Sequence, residues 1–361
     1  MILPNTYTVA LLLAVFSLVC WGSWANAYKL AGRQRFELFY WDWALGVAVA
    51  ALIAALTFGS LGFDMGGDVG GFAFFDDLMR SSKHSWAYGM AAGAVFNLGT
   101  ILLVAAMSLA GMSLAFPVGL GLAVVVSLLL DYFLQPHVNA MPLLAAAAVV
   151  LGAVVLDTMA YRAVSRLRAQ AAIKTGRTKS TKLVVSSKAI VMAAMGGLLI
   201  ALCFPLADQS RAGETGMGPY AAAFMLAVGV LASTFVYNLF FMNLPVQGEP
   251  VELLLYFRQP KKDHLLPLLG GMVWAMGTVS LFVASSATTV AATAATEPVP
   301  LLGPAVVVTV GLGATLLSAL WGVLVWKEYA GAPGNVRGIV ALMLALLVAG
   351  LALVLVLPPF A

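Results

Sequence analysis

The sequence predicts an all-α polytopic membrane protein: ten transmembrane helices as two five-helix copies of opposite orientation, a five-plus-five inverted-topology repeat. Three observations carry that prediction. The composition is too apolar for water, one basic connection divides the chain, and a short motif recurs five spans later. Hydrophobic residues make up 62% of the chain and charged residues 9%, with a mean hydropathy of +0.99, whereas a soluble domain carries about 25% charged residues. Apolar runs of about 18 residues or more, each able to cross roughly 30 Å of hydrocarbon, recur along the whole length. They are continuous rather than short and alternating, which excludes a β-barrel.

The first five spans are expected at about 7–28, 40–60, 86–108, 112–133 and 140–161. Five more follow at about 189–206, 219–242, 265–286, 300–326 and 337–357. The first five-helix copy is then 1–161, the basic connection 162–188 and the second copy 189–361. No positive n-region precedes the first apolar run, so it reads as a first helix rather than a cleavable signal peptide.

The connection 162–188 holds Arg162, Arg166, Arg168, Lys174, Arg177, Lys179, Lys182 and Lys188, and no acid. Between hydrophobic spans such a run reads as a cytoplasmic loop, not a nucleic-acid patch. The other odd-numbered connections carry Lys29, Arg33, Arg35, Arg258, Lys261, Lys262, Lys327 and Arg337. Of 19 basic residues, only Arg80, Lys83 and Arg211 fall on even-numbered ones. That asymmetry places the odd connections in the cytoplasm and both termini outside, in a cytoplasmic membrane.

The third span contains Gly93-Ala-Val-Phe-Asn-Leu-Gly99-Thr100 and the eighth Gly271-Met-Val-Trp-Ala-Met-Gly277-Thr278, an offset of 178. Five is odd, so the two copies point in opposite directions. Transporters with such inverted repeats bind solute near the midplane between the halves. The tract 285–304, rich in Ala and Thr and closed by Glu297-Pro-Val-Pro300 and Pro304, is either a broken helix lining a cavity or an outer loop.

No catalytic constellation is present. Gly176-Arg-Thr-Lys-Ser180 lacks the residue order and preceding strand of a phosphate loop. Cys20 and Cys203 lie in apolar runs and the three His have no ligand spacing, so neither disulfide, metal nor cofactor is expected. A membrane-embedded enzyme would need an acidic or His cluster at one membrane face, and none is seen.

Polar and aromatic residues at membrane depth are then the candidates. Asn97, able to donate and accept, and Trp274, offering a ring face, sit at the centres of the third and eighth spans. An interhelical bond and simple packing are the competing roles. Trp24 and Ser23 belong to the cluster Trp21-Gly-Ser-Trp24-Ala-Asn26, richer than interfacial anchoring requires. Thr100 in the repeat, Asn238 in the seventh span and Trp321 in the ninth complete the solute-binding set. A proton-coupled carrier also needs a carboxylate that titrates when desolvated. Asp42, flanked by Tyr40, Trp41 and Trp43, is expected first, Glu297 second and Glu37 third.

Several segments resemble the ureide permease family. Gly22-Ser23-Trp24 is similar to its Gly-Thr-Trp. The run from Asp42 to Gly59-Ser-Leu-Gly62 is similar to its second helix. Gly93 through Gly99 to Leu109-Ala-Gly111-Met-Ser113 and Asp131-Tyr-Phe133, then Leu317-Ser-Ala-Leu-Trp321-Gly322 and Lys327-Glu328-Tyr329, follow its pattern. The neighbouring glucose/ribose and rhamnose porters share the early Trp-Gly-Ser and the late Trp-Gly…Glu. The family's Gly-Asn in the third span is Gly99-Thr100 here, with Asn97 two residues earlier. The longer central loop of plant members, with its phosphate-loop-like motif, has no counterpart. The resemblance implies ten helices in a five-plus-five inverted repeat, and import of ureides, nucleobases or sugars, often coupled to protons.

The expected function is therefore secondary transport of a small uncharged polar metabolite with a proton or another coupling ion. The partners are solute, ion and lipid bilayer, with no nucleic acid, and a homodimer is left open. The families it resembles all belong to the drug/metabolite transporter superfamily, and the alternative within that fold is a multidrug or metabolite exporter.

Overall fold

The computed structural model describes residues 1–32, 34–61, 73–134, 140–174, 187–288, 301–302 and 306–356. Regular structure among the described residues is helical, and ten helices are long and apolar enough to cross a bilayer. In chain order the elements are α1 (Tyr7–Ser23), α2 (Asn26–Leu30), α3 (Phe36–Leu56), α4 (Phe74–Arg80) and α5 (Lys83–Ala110). Then come α6 (Met112–Leu134), α7 (Ala140–Lys174), α8 (Ser187–Arg211), α9 (Pro219–Asn243) and α10 (Leu253–Arg258). The last are α11 (Lys261–Ser285), α12 (Val306–Leu320), which ends in a π-turn at Trp321–Val325, and α13 (Gly334–Val356).

Helix ends follow local chemistry. Thr6 caps α1 by accepting from the Val9 amide, and Ser82 caps α5 through the Ser85 amide. The first span breaks after Ser23, where the Asn26 side chain donates to the Ser23 carbonyl at 3.0 Å and competes with the helical ladder. A single residue, Gly111 at φ +92°, separates α5 from α6. A Cβ there would also lie 2.7 Å from the Glu328 carboxylate. That carboxylate accepts from the Met112 and Ser113 amides (2.9 and 2.6 Å) and so caps α6. It forms an ion pair with Lys29, while Arg168 donates to the Glu328 carbonyl.

Several boundaries differ from expectation. The second span begins at Phe36, so Glu37 lies inside the helix rather than before it. The basic connection starts as helix: α7 continues to Lys174, because the Ala, Arg and Leu after residue 161 favour helix beyond the hydrocarbon. The ninth span begins at Val306, and the tract around Glu297 lies outside the described residues.

The packing has a recurring plan. The third span, α5, lies against α8 and α9, and the eighth, α11, lies against α1 and α3. The fourth, α6, touches α7 and α8, and the ninth, α12, touches α13 and α1. Each of these contacts has its counterpart five spans on. Two glycine pairs make the close approaches. A Cβ on Gly93 would lie 2.0 Å from the Leu226 carbonyl of α9, and one on Gly271 would lie 2.0 Å from the Trp43 carbonyl of α3. In the reciprocal contacts, Gly229 meets the Met90 carbonyl and Gly46 meets that of Leu268. Without a hydrophobic force between helices in lipid, such close backbone packing and interhelical hydrogen bonds hold the bundle. Leu12, Val236 and Met141 turn outward with 62%, 67% and 80% of their surface exposed, as a hydrocarbon solvent allows.

A one-mouthed aromatic cavity

A cavity of about 810 Å³ runs down the middle of the bundle. Its mouth is built from Met1, the end of α8 at Asp208 and Arg211, the start of α9 at Gly218, and the end of α11 at Ser285 and Ser286. Its far end is closed by rings. Phe96 and Trp274 stack with centroids 4.4 Å apart and planes at 24°. Trp24 leans on Phe116 at 5.9 Å and on Trp43 at 5.2 Å. Trp43 in turn meets Trp274 and Tyr40, at 5.8 and 5.0 Å. No described residue from the opposite helix ends lines the cavity.

Few polar groups face this space. Trp21 Nε1 donates to the Thr278 hydroxyl at 3.1 Å, and that hydroxyl donates to the Trp274 carbonyl. The Thr100 and Ser127 hydroxyls line the cavity and have no hydrogen-bond partner among the described residues. Buried hydroxyls are normally paired, and these two stand beside the cavity without a partner. Arg211 is held at the mouth by Ser286 Oγ (2.5 Å), Ser285 Oγ (3.2 Å) and the Phe282 carbonyl (3.5 Å), and it lies 5.1 Å from the Phe282 ring centroid.

Of the residues expected to bind solute, Trp24, Thr100 and Trp274 line the cavity. Asn97 does not. Its Oδ1 accepts from the Tyr40 hydroxyl at 2.8 Å, and its Nδ2 reaches the Val230 carbonyl and the Ser233 and Thr234 hydroxyls. It ties α5 to α3 and α9. Ser23 and Trp321 bond each other, Nε1 to Oγ at 3.0 Å, and Asn238 donates to the Glu37 carbonyl at 2.7 Å. Neither pair lies on the cavity wall.

The expected coupling carboxylates stand apart from it as well. Asp42 accepts from the Tyr256 hydroxyl at 2.5 Å and meets His264 Nδ1 at 2.7 Å, fastening α10 and α11 to α3. Burial, and then that bond to Asp42, holds the Tyr256 phenol above its usual range. Glu37 pairs with Arg35 at 2.7 Å, and this bond keeps the guanidinium above its ordinary value. Glu297 lies outside the described residues.

Sequence reasoning missed Phe96, Phe116, Ser127, Thr278, Asp208 and Arg211. A signal for the fourth and ninth spans was present. Val118-Gly-Leu-Gly121 recurs as Val310-Gly-Leu-Gly313, and both copies border the cavity at Leu120 and Gly311.

Residues 39–192 match the model of the ureide permease family. Ureide permease 1 of Arabidopsis thaliana is 21% identical over 366 aligned residues, covering 88% of each chain. Ureide permease 2 of the same plant is 23% identical over 371, again 88% of each. The chain is similar to these ureide permeases over most of its length. A crystal structure sharing 16% identity superimposes over 97% of both chains with a TM-score of 0.53, a likeness of fold alone. With its ten apolar helices, this permease-like chain is a multi-pass membrane transporter rather than an enzyme.

Proposed function

We propose that the protein is a secondary active transporter that imports a small uncharged polar metabolite together with a proton, by alternating access. A ureide, a nucleobase or a sugar is the cargo, in that order. The observation that carries this reading is the pair of unpartnered hydroxyls, Thr100 and Ser127, in a largely apolar cavity floored by aromatic rings. Ring faces take a flat or sugar-like solute, and a few placed polar groups orient it. The names of the Arabidopsis relatives favour ureides.

Residues 1–161 and 189–361 act as two inverted five-helix repeats. In support, the Gly93–Thr100 and Gly271–Thr278 segments present their threonines to one cavity. Their glycines also meet corresponding neighbours, α9 and α3. The distribution of Lys and Arg favours a cytoplasmic membrane with residues 162–188 inside and both termini outside. The mouth beside Met1 then faces outward, and the inner side is shut by the aromatic floor and the Lys29–Glu328 pair. An exporter of cationic drugs would be served by carboxylates deep in the cavity. Asp208, the acidic residue among the described lining, stands at the mouth.

The test is a thermal-shift panel of purified protein with allantoin, uracil, glucose and a cationic dye. One of the three neutral solutes should raise the unfolding temperature, since a ligand of the folded state alone stabilises it. Stabilisation by the dye alone would overturn the reading.

A further inference from the structure

The described cavity wall contains three ionisable side chains, Cys203, Asp208 and Arg211, all on α8. The lining contributed by α1, α5, α6, α9, α11 and α12 has none. The Met1 amine stands at the same mouth, and Asp77 of α4 is turned onto the Gly218 amide at 2.9 Å. Elsewhere each described buried carboxylate already has partners away from the cavity. Asp42 is held by Tyr256 and His264, Glu37 by Arg35, Glu328 by Lys29 and two amides, and Asp157 by Tyr329.

We propose that Asp208 binds the coupling proton, with Arg211 as the partner that reads its charge. This rests on the transporter reading above. The two residues are three apart on one helix, so their side chains share a face. They make no ion pair in this structure, where Arg211 instead lies on Ser285, Ser286 and the Phe282 carbonyl. Asp208 is exposed to the open mouth. A proton arriving from outside meets Asp208 before any solute group deeper in.

Closure of the mouth strips water from that carboxylate. The ionised form loses far more hydration than the neutral acid, so closing and protonation favour each other. Charged, Asp208 pulls the guanidinium off α11 and keeps the mouth hydrated. Neutral, it leaves Arg211 bridging α8 to α11, so the mouth can shut around the solute. The chemistry is one proton added to one carboxylate oxygen and later released inside.

Asp208→Asn tests this in two measurements, with Asp42→Asn as control. In the first, the emission of the cavity tryptophans is followed in purified protein between about pH 4 and pH 8. The wild type and D42N should show a titration that D208N lacks. The same curve in D208N as in the wild type would overturn the proposal, whatever the cargo. In the second, proteoliposomes carry an inward-directed proton gradient and labelled allantoin. D208N should lose accumulation above equilibrium while keeping allantoin counterflow, which also shows that it is folded. Gradient-driven accumulation by D208N would overturn the proposal. Failure of the wild type itself to move allantoin, uracil and glucose would count against the transporter reading, and the titration would still decide the role of Asp208.

Discussion

Phe96 of α5 and Trp274 of α11, 178 positions apart in the chain, stack on each other at 4.4 Å at the closed end of the cavity. They occupy the same place in the two copies of the Gly-x5-Gly-Thr motif. A contact between corresponding residues is what the inverted repeat proposed above would produce at its axis, with each half supplying one ring.

That contact makes the first prediction. Trp274→Ala removes the face against which Phe96 and Trp43 pack and should cost about 3–5 kcal/mol of stability. Trp274→Phe keeps a ring and should cost less, while weakening solute binding. Thermal unfolding in detergent, with tracer binding alongside, separates the two effects.

Thr100→Val and Ser127→Ala should leave thermal stability nearly unchanged, because neither hydroxyl has a partner among the described residues to lose. Each should weaken solute affinity, by about 3- to 10-fold for one neutral hydrogen bond. Equal uptake affinities in wild type and both variants would remove these hydroxyls from the site.

Asn97→Leu should behave in the opposite way. It leaves the Tyr40 hydroxyl only its longer 3.2 Å bond to the backbone carbonyl at this position and takes the amide donor away from the Val230 carbonyl and the Ser233 and Thr234 hydroxyls, at a cost of about 1–3 kcal/mol. The remaining folded protein should bind solute with ordinary affinity. Comparison of unfolding temperature with dissociation constant checks this.

Asp77 sets a pH dependence outside the hydrocarbon. Burial raises its carboxyl above the ordinary value of 3.8, more than the Gly218 amide lowers it. The folded state therefore holds a proton that the unfolded chain gives up. The stability from this group is full below 3.8 and is lost as pH rises through the folded value. Asp77→Asn should flatten the curve of unfolding temperature against pH on the acidic side.

Glu328→Gln should loosen the end opposite the mouth by weakening both the Lys29 ion pair and the cap on α6. A cysteine placed at Thr100 should then become more reactive to reagent supplied from the face opposite the mouth. Unchanged labelling would show that the aromatic floor alone seals that end.

The ten spans were legible because hydrocarbon imposes one length and one polarity on every crossing element. The motif at Gly93 and Gly271 was legible because close backbone approach admits no side chain. Asn97, Asn238 and Ser23 read as solute ligands from depth alone. Which way a mid-membrane amide turns depends on partners such as Tyr40 and Thr234, brought near only by packing. Asp208 and Arg211 were passed over for a related reason. Charges mark the end of a hydropathy window, so the sixth span was cut at about 206, before the turn that carries them. The structure instead continues α8 to Arg211 and folds that last turn over the cavity.

The aromatic floor has a consequence for leakage. With its described lining reaching one set of helix ends only, this shape is a well and not a pore: whatever falls in leaves by the way it came until the rings part. Under the alternating access proposed above, the resting protein would not dissipate an ion gradient, and flux would be counted in whole fillings, one conformational stroke at a time.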